Sequence, residues 1–208
     1  MKLSKFFLLF SILFFISSCA FLLKPTEKDK EKLLSAHLNY WENIRIDGII
    51  EASYKNFIFR KNIAIKKNKK AFRIDIYDSG IFGMQPTPFF SVYYDSILTI
   101  RTPDQQINQF NLKGDEKQYL SIIFNLSDLI AAKNEIMEQQ KLNFNDTTIF
   151  FSDDMKINKI HSNNDSTMVI FNYLNDLDSI IFQKEEEEII NIQIDKIMHI
   201  NEEISSLK

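Results

Sequence analysis

From Asn43 onward this chain alternates. Ile44, Ile46, Ile50, Ala52 and Tyr54 take every second place, with Arg45, Asp47, Glu51 and Ser53 between them and Gly48 in the apolar row. A period of two sends successive side chains to opposite faces of a strand, so the pattern dictates a sheet with one apolar and one wet face. The alternation returns after Lys55-Asn56, as Phe57, Phe59, Ile63 and Ile65 opposite Arg60, Asn62 and Lys66. After Lys67-Asn68-Lys69-Lys70 it continues as Phe72, Ile74 and Ile76 against Arg73 and Asp75. Short polar turns between such runs make an antiparallel meander.

The same period fills most of the remaining chain. Strands are expected at 89–94, 97–101 and about 105–110, with joints at Asp95-Ser96 and Pro103-Asp104. They are expected again at about 142–151, 155–161, 167–174, 178–184 and 189–198. Asp153-Asp154, Asn163-Asn164-Asp165 and Asn175-Asp176 lie between these runs. Asn and Asp suit turns because their side chains bond to nearby backbone. The Glu185 to Glu188 run reads as an exposed hairpin turn rather than a metal site, since its spacing is not that of ordered oxygen ligands. Most of the 19 Phe and 7 Tyr fall in the alternating runs, where strand packing favours aromatics.

Two stretches break the period. Thr26, Glu27 and Asp29 suit a helix start, with a helix over about 27–41 that carries Leu33, Leu34, His37, Leu38 and Trp41 near one face. Glu116 to about Gln139 also reads as helical, with Tyr119, Leu120, Ile123, Phe124 and Leu126 in one piece. Ser127 is expected to cap a second piece carrying Leu129, Ile130, Ile136 and Met137. The expected fold is therefore mainly β with helices (α+β). It is a large curved antiparallel sheet of about 11 strands, an open half-barrel covered by the N-terminal helix and the central helical insertion. The space beneath the helices would be apolar and suited to an acyl chain or another greasy ligand. Ile46, Ile50, Phe57, Phe59, Ile63, Phe72, Ile74 and Ile76 on the strands, with Phe124 and Leu129 on the insertion, are the candidates to line it. The 79–88 loop holds two Gly and two Pro, yet also Ile81, Phe82 and Met84. It either folds onto the core or forms an apolar tip that meets a membrane or partner. Residues 199–208 are polar and expected to fray.

The N-terminus carries a separate signal. Lys2 and Lys5 precede an apolar run from Phe6 to Ile16, then Ser17, Ser18 and Cys19, the one cysteine of the chain. This resembles a bacterial lipoprotein signal, whose lipobox ends in small residues and a cysteine. The resemblance implies cleavage of residues 1–18, a diacylglycerol on the Cys19 thiol and an N-acyl chain on its new amine. Two other readings compete. A plain membrane anchor extended by Phe21-Leu22-Leu23 would be short and interrupted by serines. An ordinary signal peptide would leave Cys19 incidental. On the lipoprotein reading, 19–32 is the lipidated terminus and tether, and 33–198 is a single domain. Ala20 after Cys19, in place of the Asp that favours inner-membrane retention, implies the periplasmic face of the outer membrane.

Composition excludes several classes. The net charge is −3, and loss of Lys2 and Lys5 with the signal takes it near −5, so nucleic acid is not an expected partner. The 190 residues left after cleavage suffice for one core without disulfides, and a monomer is expected. His37, His161 and His199 are scattered, and none lies beside a nucleophile motif. Zinc spacing, a phosphate loop and a dinucleotide turn are all missing from the sequence. No enzyme, metal or cofactor is expected beyond the acyl groups on Cys19.

The domain resembles the LolA/LolB group of periplasmic lipoprotein carriers and receptors, across about 27–198. Phe72-Arg73-Ile74-Asp75-Ile76 leading into Ile81-Phe82-Gly83 is similar to the receptor's third strand and protruding loop. Trp41 before the first strand also fits. The resemblance implies an open, curved antiparallel sheet with a helical lid over an apolar cavity for lipoprotein acyl chains. It assigns Ile81 and Phe82 to passing cargo into the membrane. The carrier's lid-closing arginine has no counterpart here. Receipt of lipoproteins at the outer membrane, a scaffold with a filled core and an envelope sensor are the functions this fold group allows.

Overall fold

A computed structural model of the chain describes residues 25–54, 57–78, 87–112, 126–144 and 146–207. Helix α1 (Glu27–Tyr40) comes first, followed by β1 (Ile44–Tyr54), β2 (Phe57–Lys67), β3 (Phe72–Tyr77), β4 (Pro88–Tyr94), β5 (Leu98–Arg101) and β6 (Ile107–Phe110). Two short helices, α2 (Leu126–Ala131) and α3 (Lys133–Gln139), separate this set from the second. The second set is β7 (Lys141–Phe144), β8 (Thr147–Phe151), β9 (Ile157–Ser162), β10 (Thr167–Tyr173), β11 (Leu177–Lys184) and β12 (Glu187–His199).

All twelve strands form one antiparallel sheet in the order β6-β5-β4-β3-β2-β1-β12-β11-β10-β9-β8-β7. Two six-strand meanders thus meet at a central β1–β12 pair, in which Ile44 lies opposite His199 and Ala52 opposite Ile190. The outermost strands β6 and β7 do not pair, so the half-barrel stays open. Twelve strands replace the expected 11 because 142–151 is two antiparallel strands, with Phe144 opposite Thr147. The register between β1 and β12 slips at Asp47/Gly48. Gly48 is required there, since a Cβ would lie 2.2 Å from the Gln193 carbonyl oxygen.

Each meander is stitched by the residue chemistry expected of its turns. Asn68 Oδ1 accepts from the backbone N–H of Lys70 and Ala71, both at 2.8 Å, and so closes β2 onto β3. Asp95 Oδ1 does the same for Ser96 and Ile97 between β4 and β5. The acidic run is a hairpin turn, with Lys184 opposite Glu187 and both Glu185 and Glu186 in left-handed backbone (φ 53° and 68°). Helix α1 starts in a capping box: Asp29 N–H donates to Thr26 Oγ1, and Thr26 N–H donates to the Asp29 carboxylate. Ser127 falls within the described span of α2.

The apolar face holds two clusters. One joins Leu34 and Leu38 of α1, Leu129 of α2 and Ile136 of α3 to Leu142, Ile149, Phe151 and Ile157. The described helices therefore cover the β7–β9 end of the sheet. The other cluster runs along the central strands through Ile44, Ile46, Ile50, Ile63, Ile76 and Ile192. Trp41 and Phe171 pack against both. Leu33, expected on the packed face of α1, is 39% exposed.

The C-terminal residues depart from the fraying expected of them. Ile200, Ile204 and Leu207 are buried with Ala71 and Tyr93 on the opposite, polar face. The tail lies across that face because specific bonds hold it: Arg73 Nη1 donates to the Ser205 carbonyl at 2.9 Å, and Lys66 pairs with Glu202 at 3.0 Å. Arg73 is itself anchored by two bonds to Asp75, at 2.8 and 3.0 Å, and Asp75 accepts a third from Ser91 at 2.7 Å. Asp75 and Ser91 are both buried.

Candidate functional site

The candidate site is the apolar face of the central strands. Strand period places Phe72, Ile74 and Ile76 on that face and sends Arg73 and Asp75 to the tail side. The register continues the row: Ile76 lies opposite Ile63 on β2 and Phe90 on β4, and Ile63 lies opposite Gly48 on β1. On the other side, Ile192 bridges Ile50 and Ile180. The middle of this face is closed, with Ile46, Ile50, Ile63 and Ile76 between 1% and 9% exposed. The flanks are only half-buried. Phe59, Phe72, Ile74, Phe89 and Phe90 form one flank, and Val169, Phe182 and Ile190 the other. The Phe59 and Phe89 rings pack tilted against each other, centroids 5.8 Å apart. A half-buried aromatic lining on a buried isoleucine floor offers apolar area to a ligand that complements its shape.

Two lysines stand on this face of β2. Lys61, opposite Ile50, lies over the Phe89 ring at 5.7 Å and pairs with Asp78. Lys67, opposite Ile44, is 4% exposed and donates to the Trp41 carbonyl at 2.9 Å. It thereby satisfies an end carbonyl of α1, where a cation is favoured. Burial lowers the Lys67 pKa to about 8, against the opposing charge of Glu42.

The ten lining candidates fall into separate groups. Ile46, Ile50, Ile63 and Ile76 form the floor, and Phe59, Phe72 and Ile74 stand on the half-buried flank. Leu129 belongs to the other cluster, packed under α1. Phe57 pairs with Tyr54 at the end of the β1–β2 hairpin, but its side chain lies outside the described residues. Phe124, the loop residues Ile81, Phe82 and Met84, and Cys19 also lie outside them. The flank residues Phe89, Phe90, Val169, Phe182 and Ile190, with Ile194 opposite Gly48, are additions to the sequence-based candidates. Phe90, Ile190 and Ile194 are in phase with their strands' alternation, which is the signal that marks them. Among the described residues, no three His, Cys, Asp or Glu gather as a metal site, and no helix is long and apolar enough to cross a membrane.

Where α1 ends, a second arrangement is built from aromatics. His37 is 8% exposed and its Nε2 accepts the Ile157 N–H at 3.0 Å. That bond requires the neutral ring with its proton on Nδ1. Burial, reinforced by the charge of Lys156, lowers the His37 pKa to about 4. Tyr173 donates its hydroxyl to the Ile157 carbonyl at 2.8 Å, so His37 and Tyr173 hold both backbone groups of one residue. Burial raises the Tyr173 pKa, as does the charge of Asp154. The Trp41 indole N–H is buried and makes no hydrogen bond among the described residues.

No protein-family model matches the chain, and no curated protein matches it. Solved structures do. One is a domain named for outer membrane lipoprotein sorting, from Vibrio parahaemolyticus, at 5% identity and a TM-score of 0.47, covering 85% of this chain and 94% of that one. Another is a LolA superfamily protein from Nitrosomonas europaea, at 8% identity and a TM-score of 0.44, covering 84% and 95%. The open antiparallel sheet with helices on its apolar face is the layout that the sequence resemblance implies.

Proposed function

We propose that this chain is an envelope lipoprotein, anchored through Cys19, that holds acyl chains or other apolar ligands on the open apolar face of its sheet. The observation that carries the reading is the contrast along that face: a closed isoleucine floor between two half-buried apolar flanks, one of them mainly aromatic. Affinity would come from apolar area removed from water, about 25 cal/mol per Å² before the costs of association. An acyl chain contributes about 0.8 kcal/mol per buried CH₂, so no specific polar contact is needed to hold it. On this reading Cys19 keeps the domain beside a membrane, at the periplasmic side of the outer membrane, where lipoprotein cargo would be received. Ile81, Phe82 and Met84 are the proposed contact with that membrane or with a partner. No catalytic step is proposed.

The test uses the chain lacking residues 1–19, purified without detergent. Native mass spectrometry should find a fatty acid or acylated peptide bound, and a fluorescent acyl probe should be taken up. Phe72→Asp and Phe90→Asp, on the flank, should each reduce probe uptake about tenfold, the effect of roughly 1.4 kcal/mol of lost burial. No bound lipid and no uptake would reject the reading. The closed floor supports a second one, a scaffold lipoprotein whose interior is filled by its own side chains. It predicts a folded domain to which no apolar probe binds.

A further inference from the structure

A cleft of about 280 Å³ opens beside the last turns of α1. Leu33, His37, Tyr40 and Trp41 form its helical wall. Asp154 and Lys156 before β9, with Tyr173 and Asp176 at the β10–β11 turn, form the other. Three aromatic side chains and two carboxylates thus face a small space holding one cation. Lys156 Nζ sits over the Tyr173 ring at 5.1 Å and pairs with Asp154 at 2.9 Å. The wall is therefore already used to hold an ammonium group against an aromatic face. Asp176 is different: it is exposed, and among the described residues no ammonium or guanidinium pairs with it. It shares the cleft with the Tyr40 and Trp41 side chains. With both carboxylates ionised and Lys156 charged, the lining carries one negative charge in excess.

We propose that this cleft binds the ammonium head of a small organic cation, seated between the Tyr40 and Trp41 side chains and the Asp176 carboxylate. The aromatic faces attract the cation through their quadrupoles, and Asp176 supplies the unpaired opposite charge. Lys156 competes for the same cleft, so its removal strengthens binding. The proposal does not depend on acyl binding at the central strands, and each can fail without the other.

Trp41 is the single tryptophan of the chain, so its fluorescence reports on the cleft directly. Tetramethylammonium titrated into the purified chain should change Trp41 emission saturably. The neutral isostere 3,3-dimethylbutan-1-ol should bind on the order of tenfold more weakly. Asp176→Asn should weaken the ammonium about tenfold, and Lys156→Ala should strengthen it, both with an unchanged far-ultraviolet circular dichroism spectrum. Vesicles distinguish the source of the ammonium. A Trp41 response to phosphatidylcholine but not to phosphatidylglycerol assigns the site to a lipid headgroup, whereas a response to the free cation alone assigns it to a soluble amine. Equal binding of the neutral alcohol, no effect of Asp176→Asn, or no Trp41 response to any ammonium would overturn the proposal.

Discussion

His37 shows how one side chain ties stability to pH. In the unfolded chain its pKa is near 6.5, whereas burial lowers it to about 4 in the fold. Above pH 6.5 both states are neutral at this residue and its contribution is complete. As pH falls from 6.5 to 4 the unfolded chain takes up a proton that the folded one refuses, and stability is lost. At 1.36 kcal/mol per pH unit the loss reaches at most about 3 kcal/mol, and below pH 4 it stops growing. Urea midpoints measured between pH 7 and pH 4 should fall accordingly. His37→Phe removes the acceptor of the Ile157 N–H and should cost about 1–3 kcal/mol at pH 7. It should also flatten the pH dependence; an unchanged slope would mean that His37 is not the titrating group. The sequence places His37 on the packed face of a helix, but its partner stands 120 residues away and is invisible at that level.

The C-terminal tail is an element without regular secondary structure, held by three buried apolar side chains and the Arg73 and Lys66 bonds. Burial of a single such side chain contributes about 1.5–3 kcal/mol. Deleting residues 200–208 should therefore lower stability by several kcal/mol and expose Tyr93. A denaturant midpoint unaffected by the deletion would show the tail to be dispensable. The sequence hides this element because Ile200, Ile204 and Leu207 are spaced among polar residues with neither period two nor a capped helix around them. The strands are legible for the opposite reason: each carries its own alternation. The 142–151 hairpin escapes a reading by period because β-branched Thr147 and Thr148, which suit a strand, follow Asn145-Asp146 directly and make the stretch from Leu142 to Phe151 look like one strand. Helix α1 is readable from Thr26 and Asp29, whose capping box is local. For the candidate site, alternation identifies which residues share a face. It cannot separate floor from flank: Ile46 and Ile74 look alike in sequence but differ in burial.

At the scale of the whole molecule, two meanders lean on each other through β1 and β12, the longest strands together with β2. Trp41 and Phe171 pack against both apolar clusters and so link them. Removing β12 takes away the partner of both β1 and β11 at once. A fragment ending at residue 186 should therefore lack native Trp41 emission, and adding a peptide of residues 187–208 should restore it. Native emission from the fragment alone would show that each meander folds unaided. The pairing of Ile44 with His199 also carries a consequence in time. A ribosome delivers β12 only after the ten strands between it and β1, so one edge of β1 waits while they are made. At roughly 5–20 residues per second that wait is on the order of ten seconds, during which a long bare edge invites wrong partners. Such a chain gains from being kept extended until its last strand has emerged, and from being handed over whole rather than piece by piece.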